Sequence, residues 1–163
     1  MLAPALKRLA VRAACENDLA AALALLNWEK ARNPWIGRVP DLLRNAVADP
    51  TGEHRACVAE RDAEVVGLGV YGMVAGAVRT GMLYAVLVAP RSRRSGIGSR
   101  IVFHVTTELA SVAARTIFAE VPGDPCLVRY RALLIAYGFV EESRIDDYYR
   151  DGVPQIVSRF DLP

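Results

Sequence analysis

At 163 residues the chain is close to the commonest single-domain size and can bury a full core alone. A hydrophobic fraction of 53% with 23% charged residues excludes a disordered chain, and a net charge of +2 gives no reason to invoke a nucleic-acid or membrane partner. Cys15, Cys57 and Cys126 are far apart and lack C-x-x-C spacing, and His54 and His104 are the only histidines. A disulfide framework, a metal site and a Ser-His-Asp triad are therefore not expected. The longest apolar run, Val65–Val78, is glycine-rich and short of the roughly 20 residues a membrane helix needs. Leu19–Leu26 follows Glu16 and Asp18 rather than a basic stretch, so no signal peptide is evident and a cytoplasmic protein is expected.

Leu6–Ala13 alternates apolar and basic residues and predicts a first strand. Leu19, Ala22, Leu23 and Leu26 then form the stripe of an amphipathic helix. Trp28–Val39, with Pro34, Gly37 and two tryptophans, reads as a loop or broken helix. A second helix from Pro40 would bury Leu43, Ala46 and Val47, and Asp49-Pro50-Thr51-Gly52 stops it. A meander of strands follows at Arg55–Glu60, Val65–Val74 and Met82–Val88. Ile97, Ile101, Val105 and Leu109 mark a third helix starting at a glycine pair, and Thr116–Val121 reads as a short buried strand. Asp124-Pro125 predicts an N-cap followed by proline at N1, opening a helix with Tyr130, Leu133, Leu134 and Tyr137 on one stripe. Phe139–Tyr149 and Pro154–Phe160 close the chain as a strand pair. The expectation is one mixed α/β domain over residues 1–163, without repeats or linkers.

Leu83–Arg100 is the segment that carries chemistry: a strand, a basic glycine loop, then a helix N-terminus. Gly96 and Gly98 would let the backbone approach a ligand, and free N–H groups, the positive helix end and Arg91, Arg93 and Arg94 together suit a pyrophosphate. Ile101 stands where a Rossmann loop needs glycine, and no Gly-Lys-Ser/Thr follows as a Walker A loop requires.

Val88-Ala89-Pro90 followed by Arg93-Arg94-Ser95-Gly96-Ile97-Gly98 resembles the V-x-P and Arg/Gln-x-x-Gly-x-Gly/Ala motifs of the GNAT acetyltransferase superfamily. Leu9–Asp18 and Ala136-Tyr137-Gly138-Phe139 extend the resemblance over nearly the whole chain. Tyr148-Tyr149-Arg150-Asp151-Gly152 is similar to a hairpin of some protein N-terminal acetyltransferases. The resemblance implies an α/β (α+β) fold: a central mixed, mostly antiparallel sheet of about seven strands, flanked by about four helices, with the fourth and fifth strands splayed apart. It implies acetyl-CoA as cosubstrate, its pantetheine arm paired with the backbone of Val86 and Val88. Its pyrophosphate would be held by the amides of Arg93, Arg94, Ser95, Gly96, Ile97, Gly98 and Ser99.

Acetylation needs a neutral amine. Deprotonating a lysine of pKa roughly 10.4 at pH 7 costs about 4–5 kcal/mol, whereas an α-amine near roughly 7.7–8.0 costs about 1 kcal/mol. By resemblance Glu120 is the general base, directly or through water; the alternative is a strand-end carboxylate facing solvent. Where relatives carry a general-acid tyrosine, four residues before the Gly of Gly-Phe, this chain has Leu134. Tyr130, one turn earlier, and Tyr149, on the closing hairpin, are the substitute acids, with core packing as the alternative for Tyr130. Adjacent strand residues face opposite ways, so only one of Tyr148 and Tyr149 should reach the site. Trp28, Trp35 and Tyr148 are the acceptor-binding candidates, and Cys126 reads as packing. Asp124 stands where relatives start this helix with asparagine.

The function expected is transfer of an acetyl group to a protein N-terminus or a small-molecule amine; the alternative is a non-catalytic acetyl-CoA-binding regulatory module. The C-terminal strand offers an edge for a homodimer.

Overall fold

A computed structural model describes residues 8–163. The first strand, β1, is Leu9–Ala13, so the part of the predicted Leu6–Ala13 strand at residues 6–7 lies outside the described residues. Helices α1 (Leu19–Lys30) and α2 (Val39–Ala48) follow, then strands β2 (His54–Arg61), β3 (Glu64–Met73) and β4 (Thr80–Val88). Helix α3 (Ile97–Ser111), strand β5 (Thr116–Pro122), helix α4 (Val128–Tyr137) and the hairpin β6 (Val140–Arg150) and β7 (Val153–Asp161) complete the chain. The expected α/β architecture is present: one seven-stranded sheet in the order β1-β2-β3-β4-β5-β7-β6, antiparallel except for the β4–β5 pair.

Alternation along the central strands splits the core into two layers. Cys57 and Ala59 of β2 face α3, whose Ile97, Ile101, Val105 and Leu109 are all buried as their spacing predicts. Ala56 and Val58 face the opposite way, onto Ala22, Leu26, Leu43 and Ala46 of α1 and α2. Each fully buried leucine or isoleucine in these layers contributes about 1.5–3 kcal/mol. Ile101 also explains the glycines of β3, since a Cβ at Gly67 or Gly69 would lie 2.8 or 2.7 Å from its side chain.

The Trp28–Val39 segment takes the broken-helix form of its two expected readings: α1 runs through Trp28 to Lys30, and a 3₁₀ turn at Pro34–Ile36, capped by the Asn33 carboxamide accepting from Trp35 N at 2.9 Å, leads into α2. The helix pattern fades at Leu26 because Trp28 and Glu29 face other partners than the core. One expectation is corrected: the C-terminal strand is not an edge, because β7 lies between β5 and β6. The edge belongs to β6, nearly all of whose residues are exposed. Between Ile145↔Gln155 and Arg150↔Val153 the β6 side carries the extra residues, and Asp147, at φ 53°, accepts from Gly152 N at 2.7 Å to close this bulge. No described helix is long and apolar enough to cross a membrane.

Candidate active site

β4 and β5 pair only at Thr80↔Thr116, Gly81↔Ile117 and Met82↔Phe118. Beyond Met82 they diverge, and a groove of 560 Å³ opens between them. On its β4 wall, Ala89 N donates to Val66 O of β3 at 2.8 Å. Backbone groups of an antiparallel strand alternate sides, so the N–H and C=O groups of Val88 and Val86 point away from β3, into the splay. The Val88 carbonyl confirms the direction by accepting from Arg93 Nε at 3.0 Å.

The loop after β4 ends the groove. Gly96, at φ 75° and ψ 5°, is the N-cap of α3 in the left-handed region that favours glycine. The first helical bond runs from Arg100 N to Gly96 O, at 3.1 Å, and no side chain caps this end among the described residues. The N–H groups of Ile97, Gly98 and Ser99 are thus left without helical partners at the positive end of a 15-residue helix, which suits an anion. Gly98 has a different task from Gly96: its Cβ would stand 3.0 Å from Leu133 of α4, so it lets the two helices close together.

Most of the sequence-predicted residues meet here. Val86, Val88, Arg93, Arg94, Gly96, Ile97, Gly98 and Ser99 line the groove with Trp35, Glu120 and Tyr130. Ser95 does not: its hydroxyl donates to Ser92 O inside the loop. Arg93 is engaged before any ligand arrives, donating to Glu29 Oε2 at 2.9 Å. Trp28 lies outside the groove, with the guanidinium groups of Arg32 and Arg93 at 4.1 and 5.3 Å from its ring centre.

Glu120 accepts from Gln155 Nε2 at 3.3 Å, which orients the carboxylate from the neighbouring strand. The Tyr130 hydroxyl is buried with no hydrogen-bond partner among the described residues, and burial pushes its phenol above the ordinary value. Leu134 is buried in the core. Tyr149 does not line the groove but packs on a residue that does, its ring 5.1 Å from that of Trp35, while Tyr148 stands 55% exposed, edge-on to Tyr149. Burial also raises the Tyr149 phenol, against a hydrogen bond from Gln155.

Asp124 caps the start of the α4 segment. The Cys126 N–H donates to its Oδ1 at 2.9 Å and holds the carboxyl down at about 2, helped by Arg150 at 3.3 Å from Oδ2. Cys126 is not core packing, because it is exposed and borders the groove. Partial burial, with the Asp124 carboxylate beside it, pushes its thiol up to about 11, so it is a protonated, poor nucleophile at neutral pH.

Two further groove residues escape sequence reasoning. Tyr84 occupies a β-bulge, since Leu83 and Ala85 are both paired to β3 and Tyr84 is not. The bulge turns Tyr84 and Ala85 together onto the α1/α2 face, between Leu83 and Val86 on the other. Glu29 enters as the Arg93 partner. The signal for Glu29 was only its place one turn past the α1 stripe. For Tyr84 strict alternation gave the wrong face. No group of three or more metal-ligating side chains occurs among the described residues.

The site is thus an α/β sheet splayed at its middle, with unpartnered helix N–H groups on the opening. A model of the Acetyltransferase (GNAT) family matches residues 20–124, well over half of the chain, and the chain belongs to that family of N-acetyltransferases. The fold is shared with a protein of Desulfovibrio desulfuricans assigned as a GNAT-family acetyltransferase (TM-score 0.87, 22% identity, 96% of this chain and 100% of that one). It is shared also with a ribosomal-protein-alanine N-acetyltransferase of Brucella melitensis (TM-score 0.76, 24% identity, 94% and 99%). A third likeness is to a Salmonella typhimurium structure assigned as an acetyltransferase with its cofactor acetyl-CoA (TM-score 0.71, 15% identity, 95% and 94%). No curated protein matches the sequence.

Proposed function

We propose that residues 1–163 form one acetyltransferase domain that moves the acetyl group of acetyl-CoA directly onto a primary amine. The observation that carries this reading is that the free β4 edge, the open end of α3, Glu120 and Tyr130 all border one groove. The residues fit the cosubstrate: Val86 offers a strand-edge N–H and C=O and Val88 an N–H for an amide-bearing arm, the Val88 carbonyl being held by Arg93, and the α3 end offers N–H groups for a diphosphate. When bound, acetyl-CoA supplies the activated thioester carbonyl.

The chain's own residues then manage protons and position. Glu120, held by Gln155, takes the proton of the incoming ammonium, directly or through water. Tyr130 is protonated at neutral pH like any tyrosine, and its hydroxyl, without a hydrogen-bond partner among the described residues, is placed to hydrogen-bond the departing thiolate. Burial raises its phenol and makes it a weak acid, so it steadies the thiolate more than it protonates it. Tyr130 therefore replaces the tyrosine that Leu134 displaces, and Tyr149 supports Trp35 instead of acting as the acid. Trp35 and Tyr84 border the acceptor end, with Tyr148 at its outer rim.

The acceptor is an amine, and an α-amine suits the site best. A single carboxylate can meet its deprotonation cost of about 1 kcal/mol far more readily than that of a lysine. The fold shared with a ribosomal-protein-alanine N-acetyltransferase supports a peptide N-terminus over a small amine.

The test is acetyl-CoA titration calorimetry with a thiol-release screen against small amines, antibiotics and short peptides. We expect acetyl-CoA binding, turnover with peptides bearing a free α-amine, and none when that amine is blocked. Binding without thiol release for every amine would overturn the assignment in favour of a non-catalytic acetyl-CoA-binding module.

A further inference from the structure

Arg93 joins three elements at the mouth of the groove. Its Nε donates to the Val88 carbonyl at the end of β4 at 3.0 Å, and its Nη2 donates to Glu29 of α1 at 2.9 Å. Its guanidinium also lies 5.3 Å from the Trp28 ring centre. The Glu29 side chain is 19% exposed and that of Arg93 38%, so the pair is only partly shielded from solvent. The backbone of Glu29 reaches the other way. Its carbonyl accepts from Arg32 N and Asn33 N, both at 2.8 Å, and the buried Asn33 carboxamide holds Trp35 N at 2.9 Å. A continuous run of hydrogen bonds therefore leads from the cofactor loop, through Glu29, to the tryptophan that walls the acceptor end.

We propose that Glu29 is a positioning residue that registers the acceptor wall, residues 31–39, against the cofactor loop through Arg93. The inference rests on the reading of this groove as an acetyl-CoA site. Arg93 is committed to Glu29 and Val88, so its guanidinium is a brace rather than a phosphate ligand, and diphosphate contact falls to the α3 N–H groups and Arg94. Occupancy of the loop is thereby transmitted to the wall on which the amine docks, so cosubstrate binding prepares the acceptor end. A lysine could not replace Arg93, because one ammonium cannot span both partners with the arginine's fork geometry.

Hydrogen exchange on the full chain, with and without CoA, tests this. In the wild type, CoA should slow exchange of the amides in residues 31–39. In Glu29→Gln these amides should exchange about fivefold faster, the loss of one partly shielded charged hydrogen bond. They should also lose their response to CoA, while exchange in α3 stays unchanged. Glu29→Asp should restore part of the response. A CoA response that persists in Glu29→Gln, or faster exchange spread equally through α3, would overturn the proposal. A wild type that binds CoA without any change in residues 31–39 would do the same. A wild type that does not bind CoA would overturn the acetyl-CoA reading itself.

Discussion

The two ends of the groove are built from different material. The proposed cofactor end comes from one continuous stretch, Val86–Ser99, and offers mostly backbone groups: a strand edge and unpaired helix N–H groups. The proposed acceptor end is assembled from side chains of distant segments, with Trp35 from the α1–α2 connection, Tyr84 from a bulge, Glu120 from β5 and Tyr130 from α4. Backbone geometry can be kept by few residue types, so the first end leaves a spaced motif. Side chains can be exchanged with little effect on the chain path, so the second end is free to vary in what it accepts.

Substitutions that act at one end and spare the other measure how separate the two are. Glu120→Gln should have the largest effect, about 100-fold lower turnover at pH 7, with the deficit shrinking as pH rises and the ammonium loses its proton unaided. Acetyl-CoA affinity should stay as in the wild type, as titration calorimetry will show; an unchanged pH–rate profile would remove Glu120 from the chemistry. Gly98→Val should act at the opposite end, weakening acetyl-CoA binding roughly 30-fold by forcing α3 off Leu133. Arg94→Ala should weaken it only about threefold, the size of one exposed charge near a helix end. Equal losses in these two variants would mean that side-chain charge, not backbone, holds the cosubstrate.

Tyr130→Phe should lower kcat roughly 10-fold without changing acetyl-CoA affinity, a modest loss because a thiol of pKa about 8.5 leaves with little help. Pre-steady-state thiol release separates that outcome from slow product release. Asp124→Asn should be the mildest change, since asparagine can still accept from Cys126 N and only the charge facing Arg150 is lost. The Asp124 carboxyl is lowered from 3.8 to about 2, so its stabilising effect is present above about pH 4 and disappears as pH falls through about 2. Thermal melts of the two proteins should differ most near neutrality and converge in acid; a constant gap would mean that the charge plays no part.

Much of the fold was legible because its signals are local. The four-residue repeat of Ile97, Ile101, Val105 and Leu109, the Asp124-Pro125 cap and the glycine pair at Gly96 and Gly98 each act within one turn or one element. The misreadings arise where long-range partners decide. Trp28 looked like a loop tryptophan because its partners, Arg32 and Arg93, are cations rather than core. Tyr84 would share a face with Val86 and Val88 in a regular strand, and only the bulge places it with Ala85. Tyr130 and Leu134 lie one turn apart on the same helix. Which of them meets the groove depends on how α4 sits against Gly98, a property of packing that spacing does not encode.

The three residue pairs that join β4 to β5 have a mechanical consequence. The sheet is a hinged plate: four strands on one side and three on the other, fastened at one end by Thr80–Met82 and Thr116–Phe118, with Arg79 O accepting from Arg115 N and Arg79 Nε reaching Ala113 O as reinforcement. A molecule laid along the open length is the missing stitching between the plates. Its binding free energy would then stabilise the joined halves, beside the core that α3 packs against both of them.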